Sequence, residues 1–188
     1  MLDYIEEHCE YVQITGFRGA KIADAKTFLE TVRKSLPCDS EIQLFDADLI
    51  ATWQHLYFAV INALTAFKTK RNLSNSVAVE AALYASGQRQ ITKAIAQIGV
   101  TPHTNNVAVI ILSTNAGVAK AFLETLSAKL NMLPDESVLE LTEGKAKRLK
   151  QVFDISELEL EAVSPSGYTE KALVDLIIER VALLTTRL

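Results

Sequence analysis

Residues 71–99 constrain the fold of this chain more than any other stretch, because they combine an alternating segment, a break and a helical stripe. The alternating apolar positions are Val77, Val79, Ala81, Leu83 and Ala85. A period of two predicts a β-strand. Ser86 and Gly87 then interrupt the alternation. Apolar residues return at helical spacing, at Ile91, Ala94, Ile95 and Ile98. The stretch therefore predicts a polar loop, a strand, a tight turn and a helix.

The break at Ser86 and Gly87 predicts an anion site. Serine is a favourable N-cap residue, and glycine turns without a steric penalty. The first N–H groups of a helix have no partner within the helix, so they attract negative charge. Arg89 lies in the first predicted turn and Lys93 one turn later. Guanidinium and backbone N–H groups suit phosphates, and the amide of Gln90 suits a base edge.

The loop before the predicted strand extends this site. Lys70, Arg71 and Asn72 lie in that loop, and we expect them to meet the turn across the strand. Tyr84 has two equally supported interpretations, a ring that stacks on an RNA base and a half-buried strand residue. Glu80 either pairs with a neighbouring arginine or faces solvent.

Charge is distributed unevenly along the chain. Residues 66–120 contain six basic residues and one acid, which gives this window a charge of +5. The whole chain has a net charge of −4, so the remainder carries −9. This asymmetry predicts a basic face on an acidic body, although scattered solvated charges would give the same count.

The remaining pattern predicts an α/β (α+β) fold. Strands are expected at residues 11–17, 41–45 and 107–112, in addition to the one after residue 76. The predicted helices cover 24–36, 46–67, 91–98, 116–130 and 144–153, with a short helical segment at 154–162 and a last helix from 169. We expect one domain, residues 1–188, with a small mixed central sheet of about four strands flanked by about six helices.

Known catalytic and metal-binding motifs are not recognisable in the sequence. His8, His55 and His103 lie on unrelated predicted elements, and Cys9 and Cys38 have neither metal-ligand nor redox spacing. We expect no metal and no cofactor, and free thiols in a reducing cytoplasm. Apolar runs are far shorter than the roughly 20 residues needed to span a bilayer, so no membrane role is expected.

Three stretches carry a family resemblance. The first contains Asn72, Glu80, the sequence Tyr-Ala-Ser-Gly at 84–87, Arg-Gln-Ile at 89–91 and Gly99. The second is His55-Leu56 with Ala59 and Ala63, and the third is Glu-Arg-Val-Ala-Leu-Leu at 179–184. Together they resemble the kinase-binding subunit of the KEOPS tRNA-modification complex, the PRPK-binding protein family, and archaeal members most.

The resemblance implies a non-catalytic subunit. Such a subunit binds and stimulates the kinase-like ATPase of the complex. It also recruits tRNA through the 3′ CCA end for threonylcarbamoylation of adenosine 37. The expected RNA-binding residues are Lys70, Arg71, Asn72, Tyr84, Ser86, Gly87, Arg89, Gln90 and Lys93. Residues 168–188 are expected to form a C-terminal interaction helix, and residues 1–10 an N-terminal extension.

The apolar stripe of that last helix is wider than one sheet face requires, so part of it is expected to meet the kinase. The expected contact residues are Leu173, Ile177, Ile178, Arg180, Val181 and Leu184. Two alternatives remain at this stage. One is a small enzyme or binding protein that holds a phosphorylated metabolite at residues 86–93. The other is a scaffold whose basic window has no ligand.

Overall fold

The structure is a computed structural model that describes residues 1–37, 39–164 and 169–185. Within them, four strands form one sheet, and eight α-helices surround it. The strands are β1 (Leu2–Ile5), β2 (Glu10–Arg18), β3 (Ser40–Asp46) and β4 (Asn106–Ser113). The helices are α1 (Ala25–Arg33), α2 (Trp53–Lys68), α3 (Val77–Ser86), α4 (Ile91–Ile98), α5 (Ala116–Leu130), α6 (Glu143–Val152), α7 (Glu157–Val163) and α8 (Thr169–Ala182). Cys38, residue 168 and residues 186–188, which belong to predictions above, lie outside the described residues.

The sheet has the strand order β1-β2-β4-β3, and each of these pairings is antiparallel. The predicted α/β class with one small sheet of about four strands is confirmed, but the prediction of a mixed sheet is wrong, because every pairing is antiparallel. β1 lies in the segment expected to be an N-terminal extension, and it pairs with β2 from Leu2 opposite Gln13 to Ile5 opposite Glu10. The sequence gives no alternating signal there, because the two middle residues of this four-residue edge strand, Asp3 and Tyr4, are both exposed.

Helices cover both faces of the sheet. Alternate residues of β2 and β4, such as Ile14 and Ile110, face α2 and α3 in one hydrophobic cluster. The intervening residues, such as Val109 and Ile111, face α1 and α5 in a second cluster. This alternation follows from the period of two in a strand. Among the described residues, no helix is both long and apolar enough to cross a membrane.

A third, smaller cluster joins α6, α7 and α8. Leu173 and Ile177 of α8 are buried in it. Further along the same helix, Val181 belongs to the cluster between the sheet and α2, as does Leu184 just after the helix. The inner side of α8 therefore contributes to two hydrophobic cores.

The predicted strand at residues 77–85 is wrong, because this segment is the helix α3. Five of its ten residues are Ala or Leu, which have high helix propensity. Ala78 and every residue from Glu80 to Ser86 are buried, so the helix is enclosed on all sides and shows no amphipathic period. Ser76 caps its start, since its Oγ accepts a hydrogen bond from the Val79 N–H at 3.3 Å.

Candidate functional site

The turn between α3 and α4 has the geometry of a helix C-terminus. The Gly87 N–H donates to the Tyr84 carbonyl and the Gln88 N–H to the Leu83 carbonyl, both at 3.0 Å. Gly87 has a φ of +63°, so these contacts form a Schellman motif with glycine in the left-handed region. The prediction that Gly87 turns the chain is confirmed, but it ends one helix instead of following a strand.

Ser86 does not cap the following helix. It is 2% exposed, and its Oγ donates to the carbonyls of Ala82 at 2.8 Å and Leu83 at 3.1 Å. The N-cap of α4 is Gln90, whose side chain makes no capping hydrogen bond. Gln90 therefore leaves the first-turn N–H groups of α4 without a cap from its own side chain, and the expected anion-binding position moves from Ser86 to Gln90.

Hydrogen bonds from His55 and Gln97 to the carbonyls of Ala85 and Ser86 stabilise the end of α3. The Ala51 N–H donates to His55 Nδ1 at 3.2 Å, which leaves the proton on Nε2, and Nε2 donates to the Ala85 carbonyl at 2.8 Å. Complete burial lowers the pKa of His55 to about 4, so the ring is neutral near pH 7. Gln97 Nε2 donates to the Ser86 carbonyl at 3.1 Å. His55 therefore has a structural role.

Three of the expected RNA-binding residues are close to one another and exposed to solvent. Arg89, Gln90 and Lys93 are exposed at the turn and in the first turn of α4. Ile91 and Ile95 lie on a different side of α4, where they are 41% and 38% exposed. They border an apolar groove of about 510 Å³ that also includes α1.

The loop residues Lys70, Arg71 and Asn72 do not meet the turn. They precede α3 and Gly87 follows it, and a helix of ten residues is about 15 Å long. The Asn72 amide donates to the Ser74 carbonyl at 2.9 Å within its own loop. The expected convergence fails because the intervening segment is a helix.

Glu80 and Tyr84 of α3 are both buried. Glu80 is 2% exposed, and its Oε2 accepts hydrogen bonds from the N–H groups of Leu73 at 3.0 Å and Ser74 at 2.8 Å. It therefore fixes the loop before α3. Tyr84 is 4% exposed, so its ring is covered by protein and cannot stack on a base in this structure. Burial, and next the charge of Glu80, raise the pKa of Tyr84.

Helix α8 divides its expected contact residues between two sides. Leu173, Ile177, Val181 and Leu184 are buried within the protein, so they form core and not surface. Ile178 is partly exposed on the outer side. The partly or fully exposed apolar residues Val174 and Ala182 precede and follow it by four positions, and the exposed acids Asp175 and Glu179 flank them.

Arg180 lies on the inner side of α8. Its Nη2 donates to Glu159 Oε1 at 2.8 Å and to the Asp154 carbonyl at 3.4 Å. Glu159 Oε2 in turn accepts from the Ser156 N–H at 2.8 Å, in a capping box that starts α7. The hydrogen bond from the Ser156 N–H, followed by that from Arg180, lowers the pKa of Glu159 to about 2.

Arg180 also borders a cleft next to the turn. This cleft has a volume of about 340 Å³, and Ser86, Gly87, Gln88, Gln97, Asp154 and Arg180 line it together with Val152 and Phe153. Gln88 falls within the candidate segment at residues 86–93, whereas Gln97 is not among the residues expected from the sequence. The only signal for Gln97 is its position, one helical turn after Lys93. In the described part of the chain, no group of three or more His, Cys, Asp or Glu side chains forms a potential metal site.

Comparison with known proteins gives two matches. The family model "Kinase binding protein CGI-121" matches residues 20–185 of this chain. The chain is also 30% identical over 142 residues to "Regulatory protein Cgi121" of Methanocaldococcus jannaschii, and the match covers 76% of this chain and 83% of that protein. Both matches confirm the resemblance noted in the sequence. Because the family model begins at residue 20, it leaves the expected extension at residues 1–10 a prediction.

Proposed function

Because the chain belongs to the CGI-121 family of kinase-binding proteins, we propose that it is a non-catalytic subunit of a KEOPS complex. In this role it binds the kinase-like ATPase of the complex, stimulates it and brings tRNA to the enzyme that modifies adenosine 37. The family match and the regulatory relative support a kinase partner and a regulatory role. The assignment to KEOPS and the recruitment of tRNA are our proposal.

The observation that carries the kinase-binding part is the outer side of α8. Its inner side is buried in two cores, whereas Val174, Ile178 and Ala182 remain partly or fully exposed at a spacing of four residues. Such a spacing aligns the three side chains along one face of the helix. We assign the kinase contact to this outer face, with Ile178 at its centre.

The test is Ile178→Asp, which places a charge in the middle of the face without altering a buried position. We expect it to weaken co-purification with the kinase subunit at least tenfold and to abolish ATPase stimulation. Leu133→Asp is the matched control, because Leu133 is an 86% exposed residue in the loop after α5. If both variants bind the kinase as the wild type does, the contact lies elsewhere. The exposed aromatic side of α2, with Trp53 and Phe58, is then the next surface to test.

The tRNA-binding part rests on the turn before α4. Arg89 and Lys93 supply cations, Gln90 supplies an amide, and the first N–H groups of α4 receive no cap from the Gln90 side chain. These groups suit the phosphates and base edges of an unpaired 3′ end. We expect Arg89→Ala and Lys93→Ala each to weaken tRNA binding and to reduce its salt dependence by about one phosphate contact.

Removal of the CCA end from the tRNA should weaken binding in the same way. Lys129→Ala is the control, because Lys129 is exposed on α5, a helix on the opposite face of the sheet. Equal affinities of the wild type and the Arg89 and Lys93 variants for intact tRNA would refute this site.

A further inference from the structure

We propose that Arg180 belongs to the RNA-binding site and not to the kinase interface, and that the cleft beside it binds one unpaired nucleotide. This inference rests on the proposed function. It adds α8 to the elements that form the RNA-binding site at the turn before α4. It also changes the assignment of the only basic residue among the expected kinase contacts.

The Arg180 side chain points away from the outer face of α8. Successive residues of an α-helix are about 100° apart, so Arg180 and Ile178 point to opposite sides of α8. Ile178 is on the exposed side, and Arg180 reaches Glu159 and the Asp154 carbonyl on the inner side. A protein docked on the outer face of α8 would not meet the guanidinium.

The turn before α4 and Gln97 of α4 line the same cleft as the Arg180 guanidinium. Gly87, Gln88 and Gln97 form the other wall of the cleft. Gln88 Nε2 donates to Gln97 Oε1 at 2.8 Å, which fixes both amides at this wall. Lys93 lies one helical turn before Gln97, so its side chain extends from the same side of α4. Arg180 is the cation that lines the cleft, and Lys93 lies outside the lining, one helical turn from Gln97.

The cleft has a suitable volume for a nucleotide, and its Gly87 side is open. A volume of about 340 Å³ is within the usual range for small-ligand sites, and it suits a single nucleotide better than a folded protein surface. At Gly87, the position that a Cβ would occupy has no atom within 4 Å. The backbone of the turn is therefore open to close approach by a ligand.

The chemistry of the lining is that of a nucleotide site. A guanidinium binds phosphate oxygens, and glutamine amides pair with base edges or ribose hydroxyls. Both hydrogen bonds that Arg180 makes with the described residues run through Nη2, and a guanidinium has five N–H donors. Arg180 can therefore bind a phosphate while it remains paired with Glu159. The negative charges of Glu159 and of Asp154, which also lines the cleft, oppose the binding of an anion at this position.

The experiment compares four single variants of the full chain in two assays. We measure the affinity for intact tRNA across a series of salt concentrations, and co-purification with the kinase subunit. Arg180→Ala should weaken tRNA binding about tenfold, with a salt slope smaller by about one, and leave kinase binding unchanged. Ile178→Asp should give the opposite pattern. Glu159→Gln keeps a side chain that can complete the capping box but removes the opposing charge, so it should tighten tRNA binding.

Arg180→Lys distinguishes a loss of RNA contact from a loss of protein stability. Lysine keeps the charge and a partner for Glu159 but loses the forked geometry that suits phosphate. We expect an unchanged melting temperature and weaker tRNA binding.

Arg180 would return to the kinase interface if Arg180→Ala reduced kinase binding and left tRNA binding unchanged. Unaltered tRNA affinity in both Arg180→Lys and Glu159→Gln would also overturn the inference. Failure of the wild type itself to bind tRNA would instead refute the RNA-binding part of the proposed function.

Discussion

Replacement of Gly87 by alanine tests the backbone geometry on which the candidate site depends. At a φ of +63°, an L-residue places its Cβ too close to its carbonyl oxygen, which costs about 1–2 kcal/mol. Alanine also restricts the unfolded chain, which returns about 0.4–1 kcal/mol. No atom lies within 4 Å of the new Cβ, so packing adds no further term. We therefore expect Gly87→Ala to lower the free energy of unfolding by about 1 kcal/mol.

Gly144→Ala is a matched control with the opposite expected sign. Gly144 lies in the first turn of α6 without a positive φ, and there too a new Cβ would meet nothing within 4 Å. Alanine is favoured over glycine in a helix, so this variant should be more stable by up to about 0.5–1 kcal/mol. The two substitutions add the same methyl group in open space and differ in backbone conformation.

Urea unfolding and thermal melting measure both effects. For a domain of this size, 1 kcal/mol corresponds to a shift of about 2–4 °C in the melting temperature. If Gly87→Ala were as stable as the wild type, or more stable, while Gly144→Ala gained stability, the left-handed turn would be refuted. The geometry of the RNA site argued from that turn would then fail as well.

Two further predictions concern buried groups. The unfolded chain takes up a proton at His55 near pH 6.5 while the folded protein resists it down to about pH 4, so stability should fall as the pH drops through this window. His55→Gln should lack this contribution, and urea unfolding of both proteins between pH 7 and pH 4 measures the difference. Glu80→Ala leaves the N–H groups of Leu73 and Ser74 without their acceptor, and should cost about 1–3 kcal/mol. Thermal melting checks this cost, with Glu80→Gln as a milder control, and a loss of tRNA affinity without a loss of stability would instead support a role for Glu80 in binding RNA.

The sequence predicts well those elements whose pattern reflects one buried side. The segment at 107–112 and the stripe from Ala116 to Leu130 appear as β4 and α5, because continuous apolar character and helical spacing have few alternatives there. The prediction for residues 77–85 is wrong because α3 is enclosed on all sides. A helix without a polar face has no period, and its alanines imitate alternation.

For the candidate site, sequence spacing groups only those residues that are close in the chain. Gly87, Arg89, Gln90 and Lys93 are close in the sequence and lie at one turn. Arg180 lines the same cleft as Gly87, which is 93 residues earlier in the chain, through packing of α8 that no local spacing reveals. The burial of Tyr84 and Glu80 is likewise a tertiary property, and sequence alone left both interpretations open.

The two-sided nature of α8 has a consequence for genetic screens. Substitutions at inner positions such as Leu173 or Ile177 would remove core contacts and lower the amount of folded protein in the cell. If the outer face binds the kinase as proposed, substitutions at Ile178 would leave abundance intact and reduce affinity alone. A screen for lost complex assembly would therefore recover two classes of variants from adjacent codons. Protein levels would separate them: the variants with normal abundance would trace the partner-binding face, and the depleted ones would trace the core.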